Sequence, residues 1–101
     1  MKYNKLVRDR IPEIIKSRGA EPITHIAEEE FWEKLKEKLQ EETSEFLEEN
    51  NEKELVDILE VIDEICDFKK FDKEKLKKIQ EKKAEERGKF KQRIILDEVK
   101  E

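Results

Sequence analysis

Cysteine, methionine, tryptophan, tyrosine and histidine each occur once in the 101-residue chain, and glycine and proline twice each. A single thiol, Cys66, can form neither an internal disulfide nor a cysteine-based zinc site. No run of about 18 apolar residues exists, so no transmembrane helix and no membrane partner are expected. The opening MKYNKLVRDR has neither the apolar run nor the small-residue cleavage site of a secretory signal, so a soluble, cytoplasmic protein is expected. What the chain has in quantity is charge: 23 Lys and Arg against 28 Asp and Glu, for a net charge of −5. With only 35% hydrophobic residues, such a composition first suggests disorder, but the two signs nearly cancel. Abundant Glu, Lys, Leu and Ile with little Gly or Pro is instead the composition of long helices. The acidic balance argues against a general nucleic-acid-binding surface. The length suits one small domain, residues 1–101. Its core must be small, and oligomerising is a natural way to bury more.

The sparse punctuation divides the chain. Pro12 fits the first turn of a short helix whose Ile11, Ile14 and Ile15 share a face, and Gly19 is placed to end it. Glu21-Pro22 holds the chain extended. A long helix is expected from about Glu28 to Glu49, broken by Asn50-Asn51, then a third from about Glu52 to Phe68. Asp72 is a good N-cap for a fourth, from about Lys73 to Arg87, which Gly88 ends. Two β-branched pieces, Ile23–Ile26 and Ile94–Leu96 with Arg93, are candidates for a short extended pair. The expected fold is all-α: an antiparallel bundle of about four helices, completed by oligomerisation.

Helical projection at about 100° per residue shows which charges are out of place. In the long helix Leu35, Leu39 and Phe46 define the apolar stripe. Glu42 falls inside that stripe and Glu45 on its flank. In the third helix Leu55, Leu59, Ile62 and Cys66 form one stripe and Ile58, Val61 and Ile65 a second beside it. So wide an arc suggests contact with two neighbours, one of them another subunit. Glu54 begins the second stripe and Asp57 lies one turn on. Glu42/Glu45 and Glu54/Asp57 thus share i, i+3 spacing, which puts both carboxylates of each pair on one side of a helix. The bland reading of any one such Glu is a side chain paired with Lys or Arg. Two antiparallel helices can instead bring the pairs face to face. Four converging carboxylates repel one another without a cation, and all-oxygen ligands suit Mg²⁺ or Mn²⁺.

The fourth helix shows the opposite sign. Lys83 and Arg87 share a face with Leu76 and Ile79, which are expected to point to the core. Snorkelling of long side chains would account for them. Beside an acidic metal site they are candidates for binding substrate phosphates, and so are Lys5 and Arg8, with Arg10 in the same cluster.

Glu41-Glu42-Thr43-Ser44-Glu45 followed by Glu54-Leu55-Val56-Asp57 resembles the ExxE…ExxD signature of the MazG-like all-α nucleoside triphosphate pyrophosphatases. The opening Asn4-Lys5-Leu6-Val7-Arg8-Asp9-Arg10-Ile11-Pro12 and the segment Lys83–Phe90 resemble a compact subgroup of that superfamily, described as phosphoribosyl-ATP pyrophosphohydrolase-like. The resemblance implies a helical fold, Mg²⁺ dependence, a homodimer or homotetramer, and a nucleotide substrate. It implies hydrolysis of the α–β phosphoanhydride to a monophosphate and pyrophosphate. It also implies metal ligation by Glu42, Glu45, Glu54 and Asp57, with one of these or Glu41 orienting the attacking water. Lys83 and Arg87 would stabilise charge on the leaving pyrophosphate, with Lys5 and Arg8 as further candidates. Nothing in the sequence marks a phosphoribosyl or adenine pocket.

Two rival readings keep the fold without the chemistry. One is a catalytically silent module that binds a nucleotide or a partner; the other is a structural helical oligomer with solvated acid–lysine networks. His25, far in sequence from the acidic pairs, is read as structural or surface-exposed. Phe31, Trp32 and Phe46 are read as core, with base stacking an alternative for Trp32. Cys66 is read as an inert buried thiol.

Overall fold

The structure, a computed structural model, describes residues 2–101. It is all-α: four helices, with no strand among the described residues. The chain divides into two units, Met1–Lys69 and Lys70–Glu101.

The first unit holds α1 (Ile11–Ser17), α2 (Phe31–Glu49) and α3 (Glu52–Lys69). Pro12 sits in the first turn of α1, and Gly19 follows it at φ +85°. That left-handed conformation lets the Gly19 and Ala20 N–H groups donate to the Lys16 and Ile15 carbonyls, closing the helix as a glycine cap does. α2 begins three residues later than the sequence suggests. Its N-cap, Glu30, makes no capping bond; the Glu30 carboxylate is instead 2.6 Å from His25 Nε2. The Asn50-Asn51 break works residue by residue. Asn50 takes the left-handed conformation (φ 56°) and donates its N–H to Phe46 O, ending α2. Asn51 Oδ1 accepts the Glu54 N–H, starting α3.

So short a link forces the two helices into an antiparallel hairpin. Residues at opposite ends of the sequence span accordingly meet. Phe68, near the end of α3, lies edge-on to Phe31 (5.3 Å between ring centres) and stacked on Trp32 (5.9 Å) at the start of α2. Lys69 Nζ covers the Trp32 ring at 4.1 Å. This aromatic cluster occupies Trp32, which packs within the hairpin as expected. Among the described residues, Leu35, Val61 and Cys66 are the buried apolar ones. Fully burying a side chain such as Leu35 contributes about 1.5–3 kcal/mol.

Only one of the two stripes of α3 is used by the hairpin. Val61 is buried and Ile58 and Ile65 are half-buried, whereas Leu55, Leu59 and Ile62 are exposed. Cys66, on the latter stripe, is nevertheless buried.

The second unit holds α4 (Lys73–Arg87). Asp72 Oδ1 accepts the N–H groups of Glu74 and Lys75, the expected cap, and Gly88 (φ 79°) ends the helix. Two expectations are corrected. Leu76 and Ile79 are 39% and 45% exposed rather than core. Apart from Ala84 the helix is polar or charged elsewhere, so it has no continuous apolar face to bury. The extended pair at 23–26 and 93–96 is also absent: neither segment is a strand. Ile23, Ile26, Ile94, Ile95 and Leu96 are all largely exposed, and unpaired strands of this length have no stability of their own.

Candidate metal centre

The hairpin brings Glu42, from the core-facing side of α2, against Glu54 and Asp57 on the first turns of α3. One oxygen from each of the three carboxylates lies within 4.8 Å of the others. Glu42 is only 6% exposed; Glu54 and Asp57 are half-buried. Glu42 Oε1 is 3.2 Å from Lys38 Nζ. Glu42 Oε2 and Glu54 Oε2 are both buried with no hydrogen-bond partner among the described residues. An orphaned buried oxygen costs about 1–3 kcal/mol, more when charged.

The protonation equilibria carry the same strain. Burial, reinforced by the charges of Glu45 and Asp57, outweighs the Lys38 hydrogen bond and pushes the Glu42 carboxyl above its ordinary value. Its sequence neighbour goes the other way. Burial would raise Glu41, but hydrogen bonds from Lys5 (2.8 Å) and Lys38 (3.3 Å) prevail and lower it. The bond to Glu41 likewise raises Lys5 against a smaller effect of burial. The site therefore contains one acid well matched by cations and, beside it, an acid that is not.

Three hard oxygen donors at this separation, two of them with buried unpaired atoms, fit a divalent cation. Glu42, Glu54 and Asp57 could thus hold a metal ion. Glu45, the fourth expected ligand, is half-buried one turn beyond Glu42 and acts on it through its charge; it is not one of the three converging residues. Glu41 is held by Lys5 and Lys38.

Lys5 and Arg8, candidates for phosphate binding, face the acidic residues themselves. Arg8 Nη2 is 2.7 Å from Asp57 Oδ1 and Nη1 is 3.6 Å from Glu60. The preceding chain is fixed by Asn4, whose carbonyl accepts from Lys34 Nζ at 2.9 Å. Between this segment and the hairpin lies a cleft of about 470 Å³, whose walls include Val7, Arg8, Phe31, Lys38, Glu42 and Asp57. Lys83 and Arg87 are exposed residues of α4, in the other unit. Lys34 and Lys38 were not among the residues expected from the sequence. Their side chains are only 15% exposed, and the signal was present: 34, 38 and 42 lie at successive i, i+4 positions.

Among the described residues no helix is long and apolar enough to cross a membrane. No family model matches the chain, and no curated protein or solved structure matches it.

Proposed function

We propose that this chain is a Mg²⁺-dependent nucleotide pyrophosphohydrolase of the MazG-like, phosphoribosyl-ATP pyrophosphohydrolase-like type. It would cleave the α–β phosphoanhydride of a nucleoside triphosphate or related nucleotide. The observation that carries this reading is the pair of buried, unpartnered oxygens, Glu42 Oε2 and Glu54 Oε2, converging with Asp57. Such a group is costly to keep unless a ligand satisfies it. Mg²⁺, with Mn²⁺ as the substitute, is the natural choice for an all-carboxylate set; when bound it neutralises phosphate charge and lowers the pKa of coordinated water.

The chain's own residues supply the rest. Glu42, Glu54 and Asp57 hold the cation, and Glu45, one turn on, adds negative charge. Glu41, kept ionised by Lys5 and Lys38, is suited to orient a water molecule. Arg8, Lys5 and Lys38 lie beside these acids and are suited to phosphate oxygens. Val7, Phe31 and Leu35 give the cleft an apolar wall. The exposed Leu55, Leu59 and Ile62 of α3 support assembly as a homodimer or homotetramer, since a contiguous apolar stripe marks an interaction surface.

The test is pyrophosphate release from a nucleotide panel with Mg²⁺. Turnover is expected for at least one nucleotide and should be lost in Glu54→Gln with helicity unchanged. No release from any nucleotide, together with no Mg²⁺ binding, would refute the proposal.

A further inference from the structure

Residues 4–10 form no helix, yet they are attached at three points to the hairpin that carries the acidic cluster. Lys34 holds the Asn4 carbonyl, Lys5 holds Glu41, and Arg8 holds Asp57. Asn4 turns the chain at a left-handed φ of 45°, a conformation that asparagine tolerates better than most residues. Of the three attachments, only that of Arg8 engages a member of the converging carboxylate triad.

The attachment is also the weak kind. The Arg8 side chain is 52% exposed and that of Asp57 35%, so water screens the pair, and exposed pairs of this sort contribute little. The third carboxylate is thus paired with a cation that can leave, whereas Glu42 and Glu54 each keep a buried oxygen with no hydrogen-bond partner among the described residues. The released guanidinium would stay tethered in the same cleft, whose walls include Arg8 itself, Lys38 and Glu42.

We infer that Arg8 is a displaceable internal counter-ion. Residues 4–10 form a strap that pairs with Asp57 through Arg8. A divalent cation loading the triad releases Arg8, which then serves anionic phosphate in the cleft. The inference rests on the reading of Glu42, Glu54 and Asp57 as a metal site. Strap and cation compete for one carboxylate, so removing the strap's charge strengthens cation binding, while the loaded protein loses an anion contact.

Calorimetric titration of the full chain with Mn²⁺ alone tests this, comparing the native protein with Arg8→Gln and Arg10→Gln. Arg10 lines the same cleft but bonds Glu13 at 3.2 Å, so its variant removes an equal charge without touching Asp57. Arg8→Gln is expected to bind Mn²⁺ about 1.5- to 5-fold more tightly than either other protein, the range corresponding to an exposed ion pair. On the Mn²⁺-saturated proteins, inorganic pyrophosphate should bind Arg8→Gln several-fold more weakly than the native chain. Equal Mn²⁺ affinity in all three proteins overturns the strap and leaves the metal site standing. Equal tightening in both variants reduces the effect to general charge and also overturns it. Unchanged pyrophosphate affinity overturns the hand-over to phosphate. No Mn²⁺ binding by any of the three overturns strap and metal site together.

Discussion

Replacing Glu42 with glutamine keeps the side chain's shape and removes its charge, and the burial of that charge fixes the sign of the effect on stability. Glu42 has Glu54 and Asp57 oxygens within 4.8 Å and Lys38 at 3.2 Å. At an effective dielectric between bulk water and about 20, the two repulsions come to about 1 to 3.5 kcal/mol each, and the Lys38 attraction to about 1.3 to 5 kcal/mol. Arg8 at 2.7 Å offsets much of the Asp57 repulsion, so these charges nearly cancel, and burial, the largest cause of the raised Glu42 pKa, decides the sign. Lys38 is not stranded by the change, because it also bonds Glu41. In chelator at pH 7, Glu42→Gln should therefore be more stable than the native protein, with a higher Tm. The pH dependence has a definite direction. The folded-state pKa of Glu42 is raised above 4.5, so its ionisation costs stability as pH rises from 4.5 through the raised value. The variant's advantage thus grows as pH rises through the raised value and fades as pH falls towards 4.5. Mg²⁺ should reverse the order: at 100 times its dissociation constant it stabilises the native protein by about 2.7 kcal/mol, while the variant, missing a ligand, responds far less. Thermal unfolding followed by circular dichroism, in chelator and in excess Mg²⁺ at pH 4.5 and 7, reads all of this. A lower Tm for the variant in chelator would show that Glu42 is not under electrostatic strain. A higher Tm for the variant in both conditions, with no response of the native chain to Mg²⁺, would remove the metal.

Three further perturbations test other parts of the structure. Leu35→Ala opens a cavity at a 1% exposed site and should cost about 2–5 kcal/mol in urea unfolding, whereas Ile23→Ala, at 94% exposure, should be nearly neutral. Asp72→Ala removes the acceptor for the Glu74 and Lys75 N–H groups and should cost α4 about 1 kcal/mol, seen as lost helicity on mild heating. Leu59→Lys places a charge on the exposed stripe of α3 and should shift the protein to monomer in light scattering, with the hairpin intact; an unchanged mass would place the subunit contact elsewhere.

Much of the secondary structure was legible because its determinants are local. Pro12 and Gly19, Asn50 and Asn51, and Asp72 and Gly88 act on N–H and carbonyl groups within a few residues, so they mark helix ends without knowledge of the fold. The start of α2 lacks such a device: Glu30 bonds His25 rather than capping the helix, which begins at Phe31 and not near Glu28. The conflict of Glu42 with its apolar stripe was also local, a matter of angle around one helix, and the two-residue link made its meeting with Glu54 and Asp57 foreseeable.

What the sequence determined by itself is therefore the set of helices and the acidic residues that stand on the wrong face of them. Tertiary structure decided the rest. Which stripe of α3 becomes core depends on where α2 lies, and both stripes are apolar enough to serve. Whether Ile23–Ile26 becomes a strand depends on a partner that no local preference supplies. That Arg8 would reach Asp57, 49 residues away, is written in no periodicity. Helical periodicity and capping are short-range and survive in the sequence, whereas the pairing of a cation with one particular carboxylate among many exists only once the chain has folded.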